Sequence, residues 1–368
     1  MPTVADVLRQ HGPAYLQKFG DKMPAEQRRV LAAMMACGTG QLGTVHYQCP
    51  ACGRTHVRGR SCGNRHCPSC QAGKGVRWCA RELQRLLPCH YFLLTFTLPQ
   101  ELRALARRHP REVYTAMFRA ASDALKTLAA DPRRLGASRL GFFAALHTWG
   151  RDLSFHPHLH LVVAGGGLDA EGNWRSTPPN FFLPCEPLSV LYRGKLRVAL
   201  GTLAQQTPAA VWRKSWVVDC QAVGDGGSAV KYLAPYVFRA AISDRRIVHC
   251  DQQQVTFTYR RSGSRRKRRM TLSGEEFVRR LLQHVLPRGL TKVRHYGLLS
   301  PNSRLSLESL KWLVAAALGV LVWLACTTHT TANHRRALCC AECGEPLLLL
   351  AVLPPCPVML VEPRSRPP

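Results

Sequence analysis

The residues of this chain best equipped for chemistry fall into three groups. The first is Cys49-Pro-Ala-Cys52, His56, Cys62 and Cys67-Pro-Ser-Cys70, with Cys37 upstream and His66 alongside. A C-x-x-C turn places two thiolates on one side of a tight knuckle, at the separation that tetrahedral Zn²⁺ requires. The two knuckles would supply four thiolates, and Cys37, His56, Cys62 and His66 are enough for a second site, giving about two zinc ions per chain. Closed sites of this kind hold a fold together far more often than they catalyse. Arg54, Arg58, Arg60, Arg65 and Lys74 surround the ligands, which suits a module that grips DNA.

The second group is Phe155-His156-Pro-His158-Leu-His160-Leu-Val-Val163. On a strand, alternate side chains share a face, so the histidines project together while Leu159 and Leu161 enter the core. Imidazoles two residues apart on a strand form a bidentate metal site that leaves positions open for substrate and water. The third group is Val230-Lys231-Tyr232-Leu-Ala-Pro-Tyr236-Val-Phe-Arg239. Tyr232 and Tyr236 are four apart, hence neighbours on one helix face, although Pro235 is expected to kink or start the helix between them. A phenolate is a competent nucleophile at phosphorus, and Lys231, Arg239 and a metal could lower its pKa and screen the phosphate.

A Cys/His zinc module, then H-x-H on a strand, then Y-x-x-x-Y beside a lysine resembles the HUH transposases of bacterial rolling-circle insertion sequences. More closely, the chain looks like insertion-sequence family ninety-one, whose members carry two tyrosines. The resemblance runs from about Cys37 to Gly297. It rests on Ser61-Cys-Gly-Asn-Arg-His-Cys-Pro-Ser-Cys-Gln71, on His147-Thr-Trp-Gly-Arg-Asp-Leu-Ser-Phe-His-Pro-His-Leu-His160 and on Lys231-Tyr-Leu-Ala-Pro-Tyr236. Ala241-Ile-Ser-Asp-Arg-Arg246 and His295-Tyr-Gly297 add to it.

The resemblance implies that His158 and His160 hold a catalytic Mg²⁺ or Mn²⁺ and that Tyr232 and Tyr236 are the nucleophiles. It implies cleavage of one DNA strand without hydrolysis, through a 5′-phosphotyrosine and a free 3′-OH, followed by strand transfer at single-stranded or hairpin element ends. A third metal ligand is expected. His156, His147 and Asp152 are near in sequence, and a polar residue on the tyrosine helix or another strand would serve equally. The structural Zn²⁺ belongs to the N-terminal part.

These groups need a scaffold. Residues 1 to about 35 carry helical apolar spacing, a helix is expected at 73–87, and Tyr91–Leu98 reads as a buried strand ending at Pro99. Residues 100–130 predict a long helix divided at Pro110. Leu140–Trp149 and His156–Ala164 predict two strands joined by a short turn, Trp212–Val223 another strand, Ala229–Ala241 a helix and Val255–Tyr259 a strand. Arg260 to Arg269 reads as a basic loop in which Arg260, Arg261, Arg265, Arg266, Lys267, Arg268 and Arg269 grip backbone phosphates. Trp149, Tyr91 and Phe155 are candidate platforms for unstacked bases. Cys340-Ala-Glu-Cys343 has no obvious partner pair, although His329, His334, Cys339 and Cys356 are available. The whole predicts an α+β chain. A zinc-binding, DNA-contacting part occupies 1–88 and an HUH endonuclease domain, an antiparallel sheet flanked by helices, 89–300. A mainly helical region with a loose Pro-rich tail fills 301–368.

Composition narrows the partners. There are 51 Lys and Arg against 22 Asp and Glu, a net charge of +29, which signals a polyanionic partner and above all nucleic acid. The apolar run Trp312–Cys326 is short of the ~20 residues a bilayer needs and is expected as a buried helix, with no membrane association. The N-terminus lacks the basic and apolar segments of a signal peptide, so a cytoplasmic, nucleoid-associated bacterial protein is expected. A non-catalytic zinc-dependent nucleic-acid-binding protein is the alternative, and a metal hydrolase that uses water as nucleophile is a third reading.

Overall fold

The computed structural model describes residues 2–71, 73–238, 241–260, 264, 266–319 and 338–355, apart from the side chains of 235, 236 and 238. Arg239, Arg261 and Arg265 from the basic set therefore lie outside the described residues, as do the possible C-terminal ligands His329, His334 and Cys356.

The chain opens with helices α1 (Val4–Phe19) and α2 (Ala25–Met35), then β1 (Thr44–Gln48), β2 (Thr55–Gly59), the one-turn α3 (Pro68–Gln71) and α4 (Lys74–Arg85). There follow β3 (Tyr91–Thr97), α5 (Arg103–Arg108), α6 (Pro110–Ala130), β4 (Arg139–Trp149), β5 (Phe155–Leu168), β6 (Trp174–Ser176), α7 (Cys185–Leu200), β7 (Val218–Ala222) and α8 (Gly227–Phe238). The remainder holds β8 (Ile247–Cys250), β9 (Gln254–Arg260), β10 (Lys267–Ser273), α9 (Gly274–Leu282), β11 (Val293–Gly297), α10 (Leu307–Leu318) and β12 (Leu348–Leu353). The expected α+β class holds, and all the strand pairings described are antiparallel.

The central sheet runs β11-β4-β5-β3-β7, with β6 on the end of β5. Its two faces follow the alternation of side chains along each strand. Phe92, Leu94 and Phe96 of β3, Phe142, Ala144 and Leu146 of β4, and Leu159, Leu161 and Val163 of β5 pack beneath α6 and α7. The intervening residues Tyr91, Phe143, Ala145, Val162 and Ala164 face α4, α8 and α10 through Trp78, Val230, Leu233, Leu310 and Val314. Pro110 begins α6, where its missing N–H costs nothing, and so separates it from α5 as expected.

A second sheet, β10-β9-β8, packs with α1, α2 and α9 around Leu8, Leu31, Phe257 and Phe277. A third, β12-β1-β2, joins a strand near the C-terminus to the cysteine-rich N-terminal hairpin.

Three expectations are corrected. The two ends of the basic segment are paired strands rather than loop: Arg260 ends β9, and Lys267, Arg268 and Arg269 start β10, with Lys267 opposite Arg260 and Arg269 opposite Thr258. Its charge density hid the alternation by which Met270 and Leu272 pack on the core while their neighbours face outward. The strand expected from Trp212 is confined to Val218–Ala222. The indoles ahead of it anchor a turn instead, Trp212 Nε1 donating to Thr207 Oγ1 at 3.0 Å and Trp216 Nε1 to Val211 O at 2.8 Å. Helix α8 runs unbroken through Pro235 from Gly227, whose N–H is capped by Asp225 at 2.9 Å. Gly226 before it has φ 79° and lies where a Cβ would come within 2.8 Å of the Tyr91 ring, so only glycine lets the helix seat on β3.

No helix among the described residues is long and apolar enough to cross a membrane. The apolar run from Trp312 begins in α10, which stops at Gly319 with φ 63°, and its remainder lies outside the described residues.

Candidate active site

Strands β4 and β5 are joined by a tight turn in which Gly150 N–H donates to Ser154 O at 2.8 Å and Ser154 Oγ to Asp152 Oδ1 at 2.7 Å. This turn sets a register in which His147 lies opposite His158, Ala145 opposite His160, and Thr95 of β3 opposite His160 from the other side. His147, His158 and His160 therefore share the face turned toward α8, with their ligating nitrogens all within 4.8 Å of one another. His158 Nδ1–H donates to His156 O at 2.7 Å, and His160 Nδ1 pairs with Thr95 Oγ1 at 3.0 Å. Those bonds leave Nε2 of both rings to act as ligands, the usual way a metal-binding imidazole is oriented. Burial pushes the pKa of His158 down to about 4 and that of His160 to about 3, and holds His147 well below its ordinary value. Neutral imidazoles converging on one point fit a divalent cation with positions left open.

Of the three sequence neighbours considered for the third ligand, His147 is the one that joins the cluster. His156 follows the alternation of β5 and lines the same cleft, its ring 5.2 Å from that of His158, but it is not one of the three converging imidazoles. Its Nδ1 instead lies 2.6 Å from Arg103 Nη2 on α5. Asp152 is spent on the turn, and His147 completes the group.

Helix α8 presses Val230, Leu233, Ala234 and Val237 onto the sheet, an i, i+3, i+4, i+7 stripe. That leaves Lys231 and Tyr232 on the open side, Tyr232 with 42 % of its surface exposed. The Tyr232 ring stands perpendicular to that of His160, 6.2 Å between centroids. Tyr236 is one turn further along α8, and its side chain lies outside the described residues.

A cleft of about 1010 Å³ opens between these groups and the β9–β10 hairpin. Its far wall carries Arg246, Tyr259, Arg260, Lys267 and Met270. The Arg246 guanidinium is fixed there by donating to Thr258 O at 2.6 Å and Arg151 O at 2.5 Å. Sequence reading missed Arg246 and Thr95 as site residues, because neither lies near the histidine or tyrosine motif in the chain: Thr95 comes from β3 and Arg246 from the turn before β8. A second cleft, of about 800 Å³, shares Trp149 and Ala241 with the first and is lined by Arg65, Lys74, Arg81, Arg85 and Lys292. Lys292 Nζ sits 4.5 Å above the Trp149 ring. Of the proposed base platforms only Trp149 reaches a cleft. Tyr91 is fully buried with its hydroxyl accepting from Leu87 N–H at 2.7 Å, and Phe155 is buried in the core under Arg107.

The cysteines pair differently from expectation: the two N-terminal knuckles face different partners. Cys37, Cys62, Cys67 and Cys70 converge in one cluster, and Cys49 and Cys52 converge with Cys340 and Cys343 in another. The reason is the β1–β2 hairpin, which carries residues 49–52 at its tip and residues 37 and 62 near its base. Five residues of strand separate tip from base by about 17 Å, too far for one ion. In the first cluster Cys70 Sγ lies 3.6 Å from Cys37 and 3.5 Å from Cys62, and Cys67 lies 3.8 Å from Cys37, close to the ~3.8 Å edge of a ZnS₄ tetrahedron. Neither His56 nor His66 joins a cluster: His56 Nε2 lies 3.2 Å from Cys340 Sγ, and His66 Nε2 accepts from Leu286 N–H at 3.4 Å.

A family model described as "Putative transposase" matches residues 141–306, and one described as "Transposase zinc-binding domain" matches residues 7–98. The chain is also 39% identical over 327 residues to "Putative transposase y4qJ" of Sinorhizobium fredii (strain NBRC 101917 / NGR234), covering 82% of this chain and 81% of that protein. The chain belongs to the IS91 family of transposases. This transposase is also 32% identical over 290 residues to the transposase for insertion sequence element IS801 of Pseudomonas savastanoi pv. phaseolicola, covering 73% of this chain and 68% of that protein. No solved structure matches it. His147, His158, His160 and Tyr232 all fall in the range of the first family model, and the cluster of Cys37, Cys62, Cys67 and Cys70 in that of the second.

Proposed function

We propose that this transposase cuts one DNA strand with Tyr232 and rejoins it to another, within the cleft between α8 and the β9–β10 hairpin. The observation that carries this reading is the perpendicular approach of the Tyr232 ring to His160, on the face where the imidazoles converge. Tyr232 Oη attacks the scissile phosphorus and loses its proton to solvent; the P–O3′ bond breaks, and the leaving 3′-oxygen takes up a proton. The products are a 5′-phosphotyrosine and a free 3′-OH, so the phosphodiester energy is conserved for the reverse step. His147, His158 and His160 would hold a Mg²⁺ or Mn²⁺ ion, which would supply Lewis-acid polarisation of the scissile phosphate.

The chain's own residues do the rest. Lys231, next to Tyr232 in the chain and exposed on α8, is the cation assigned to stabilise the phenolate, and Tyr236, one turn along, receives the second strand. Arg246, Arg260 and Lys267 hold backbone phosphates on the wall opposite Tyr232, with Arg266, Arg268 and Arg269 extending the basic hairpin. Trp149 offers an aromatic face where the two clefts meet, which suits single-stranded rather than paired DNA. Zn²⁺ at Cys37, Cys62, Cys67 and Cys70 is structural, and the protein works at bacterial DNA in the cytoplasm.

The test is one gel of labelled single-stranded end oligonucleotide, with and without protease treatment. A protease-sensitive adduct that is lost in the Tyr232→Phe/Tyr236→Phe double variant supports the reading. Cleavage to a free 5′-phosphate with no adduct would mean that water is the nucleophile, and salt-sensitive binding with no cleavage would leave only a DNA-binding role.

A further inference from the structure

The cysteine pair at 340 and 343 lies outside both family-matched ranges, yet it completes a four-sulfur cluster with the tip of the N-terminal hairpin. The two halves of this cluster are built alike. In one, Cys49 N–H donates to Arg54 O and Gly53 N–H to Cys49 O, both at 2.9 Å. In the other, Cys340 N–H donates to Glu345 O at 2.7 Å and Gly344 N–H to Cys340 O at 3.0 Å. Gly53 and Gly344 occupy the same place after the second cysteine, with φ 70° and 80°, a backbone that only glycine adopts without strain. Each half is thus a C-x-x-C-G knuckle, and a strand runs on from each: β2 from the first and β12 from the second, paired to either side of β1.

The sulfurs meet at metal-site spacing. Cys49 Sγ lies 3.4 Å from Cys343 Sγ and Cys52 Sγ 3.7 Å from Cys340 Sγ, across 294 and 288 residues of chain. These distances are far beyond the ~2.05 Å of a disulfide and near the ~3.8 Å of thiolates sharing one tetrahedral zinc. Arg54 Nη1 donates to Glu342 Oε1 at 3.0 Å, pairing the two knuckles beside the sulfurs.

We infer that Cys49, Cys52, Cys340 and Cys343 bind a second Zn²⁺ that clasps the C-terminal arm to the N-terminal hairpin. The arm leaves α10, which packs in the same apolar cluster as the tyrosine helix α8, and ends as β12 on the zinc-hairpin sheet. The exposed strand β12, with Leu348, Leu349, Leu350 and Val352 open to solvent, has little apolar burial of its own to hold it. The metal supplies what packing does not.

Metal content of the purified full chain tests this without DNA or activity, so its failure is separate from failure of the strand-transfer reading. The wild type should hold about two zinc ions, and Cys340→Ser/Cys343→Ser about one. Cys49→Ser/Cys52→Ser should lose that same ion, and combining both pairs should lose no more. Adding Cys67→Ser/Cys70→Ser to either pair should remove the last. A wild type with a single ion overturns the clasp, as does a Cys340/Cys343 variant that keeps two. A variant too unstable to purify does not shield the proposal: the wild type loaded with Co²⁺ should show thiolate-to-metal absorption from eight sulfurs, and intensity for four overturns it.

Discussion

His147 of β4 stands directly across the ladder from His158 of β5, and their rings meet edge to face at 5.3 Å. Neither is close to the other by chain geometry alone. The β4–β5 turn brings them together, and β3 completes the arrangement by placing Thr95 beside His160. The three imidazoles and the hydroxyl that orients His160 therefore form a row across three neighbouring strands, facing the cleft.

His147→Ala should reduce single-turnover strand cleavage about as much as His158→Ala, by roughly a hundredfold or more. His156→Ala should cost less than about fivefold, since its partner is Arg103 rather than the cluster. Equal losses at His147 and His156 across a Mn²⁺ titration would contradict the assignment.

Thr95→Val removes the group that orients His160 while leaving all three imidazoles. It should raise the Mg²⁺ or Mn²⁺ concentration for half-maximal cleavage by about 10–100-fold, with much of the rate restored at saturating metal. A lower plateau with no change in metal requirement would be the wrong outcome.

Tyr232→Phe keeps the ring against His160 and deletes the hydroxyl. Binding of end oligonucleotide, followed by anisotropy, should stay within about twofold while adduct formation falls by about a thousandfold.

Phosphate-gripping side chains reveal themselves through salt. Lys267→Ala and Arg246→Ala should each flatten the slope of log K against log salt by about 1, whatever the DNA sequence. Trp149→Ala should leave that slope unchanged but weaken single-stranded binding by about 1–3 kcal/mol.

Buried His284 gives the fold a pH dependence. Its Nε2–H donates to Leu153 O at 3.2 Å, and burial pushes its pKa down to about 4. The unfolded chain takes up that proton near pH 6.5, so between about 6.5 and 4 unfolding gains a proton and stability falls as the solution is acidified. Over that window the slope owed to this one group is about 1.4 kcal/mol per pH unit. In urea melts His284→Asn should show a correspondingly shallower decline, and an unchanged slope would show that His284 is not held neutral by the fold.

Much of the chemistry was legible locally. The alternation of His158 and His160 on a strand, the i, i+3, i+4, i+7 stripe that seats α8 and exposes Tyr232, and the thiolate pairing within each C-x-x-C turn depend only on backbone period. Those periods are properties of the residues themselves. Charge density also announced a polyanion, although it concealed that both ends of the basic segment are strands.

Which groups meet was another matter. His147 completes the imidazole cluster because the β4–β5 register sets it opposite His158. Cys49 and Cys52 turn to Cys340 and Cys343 because a hairpin of fixed length carries them away from Cys67 and Cys70. Arg246 enters the cleft from a segment remote from both histidines and tyrosine. Spacing along a chain dictates what one element can present, whereas register and hairpin reach across distant segments depend on many elements at once, and only the folded molecule resolves them.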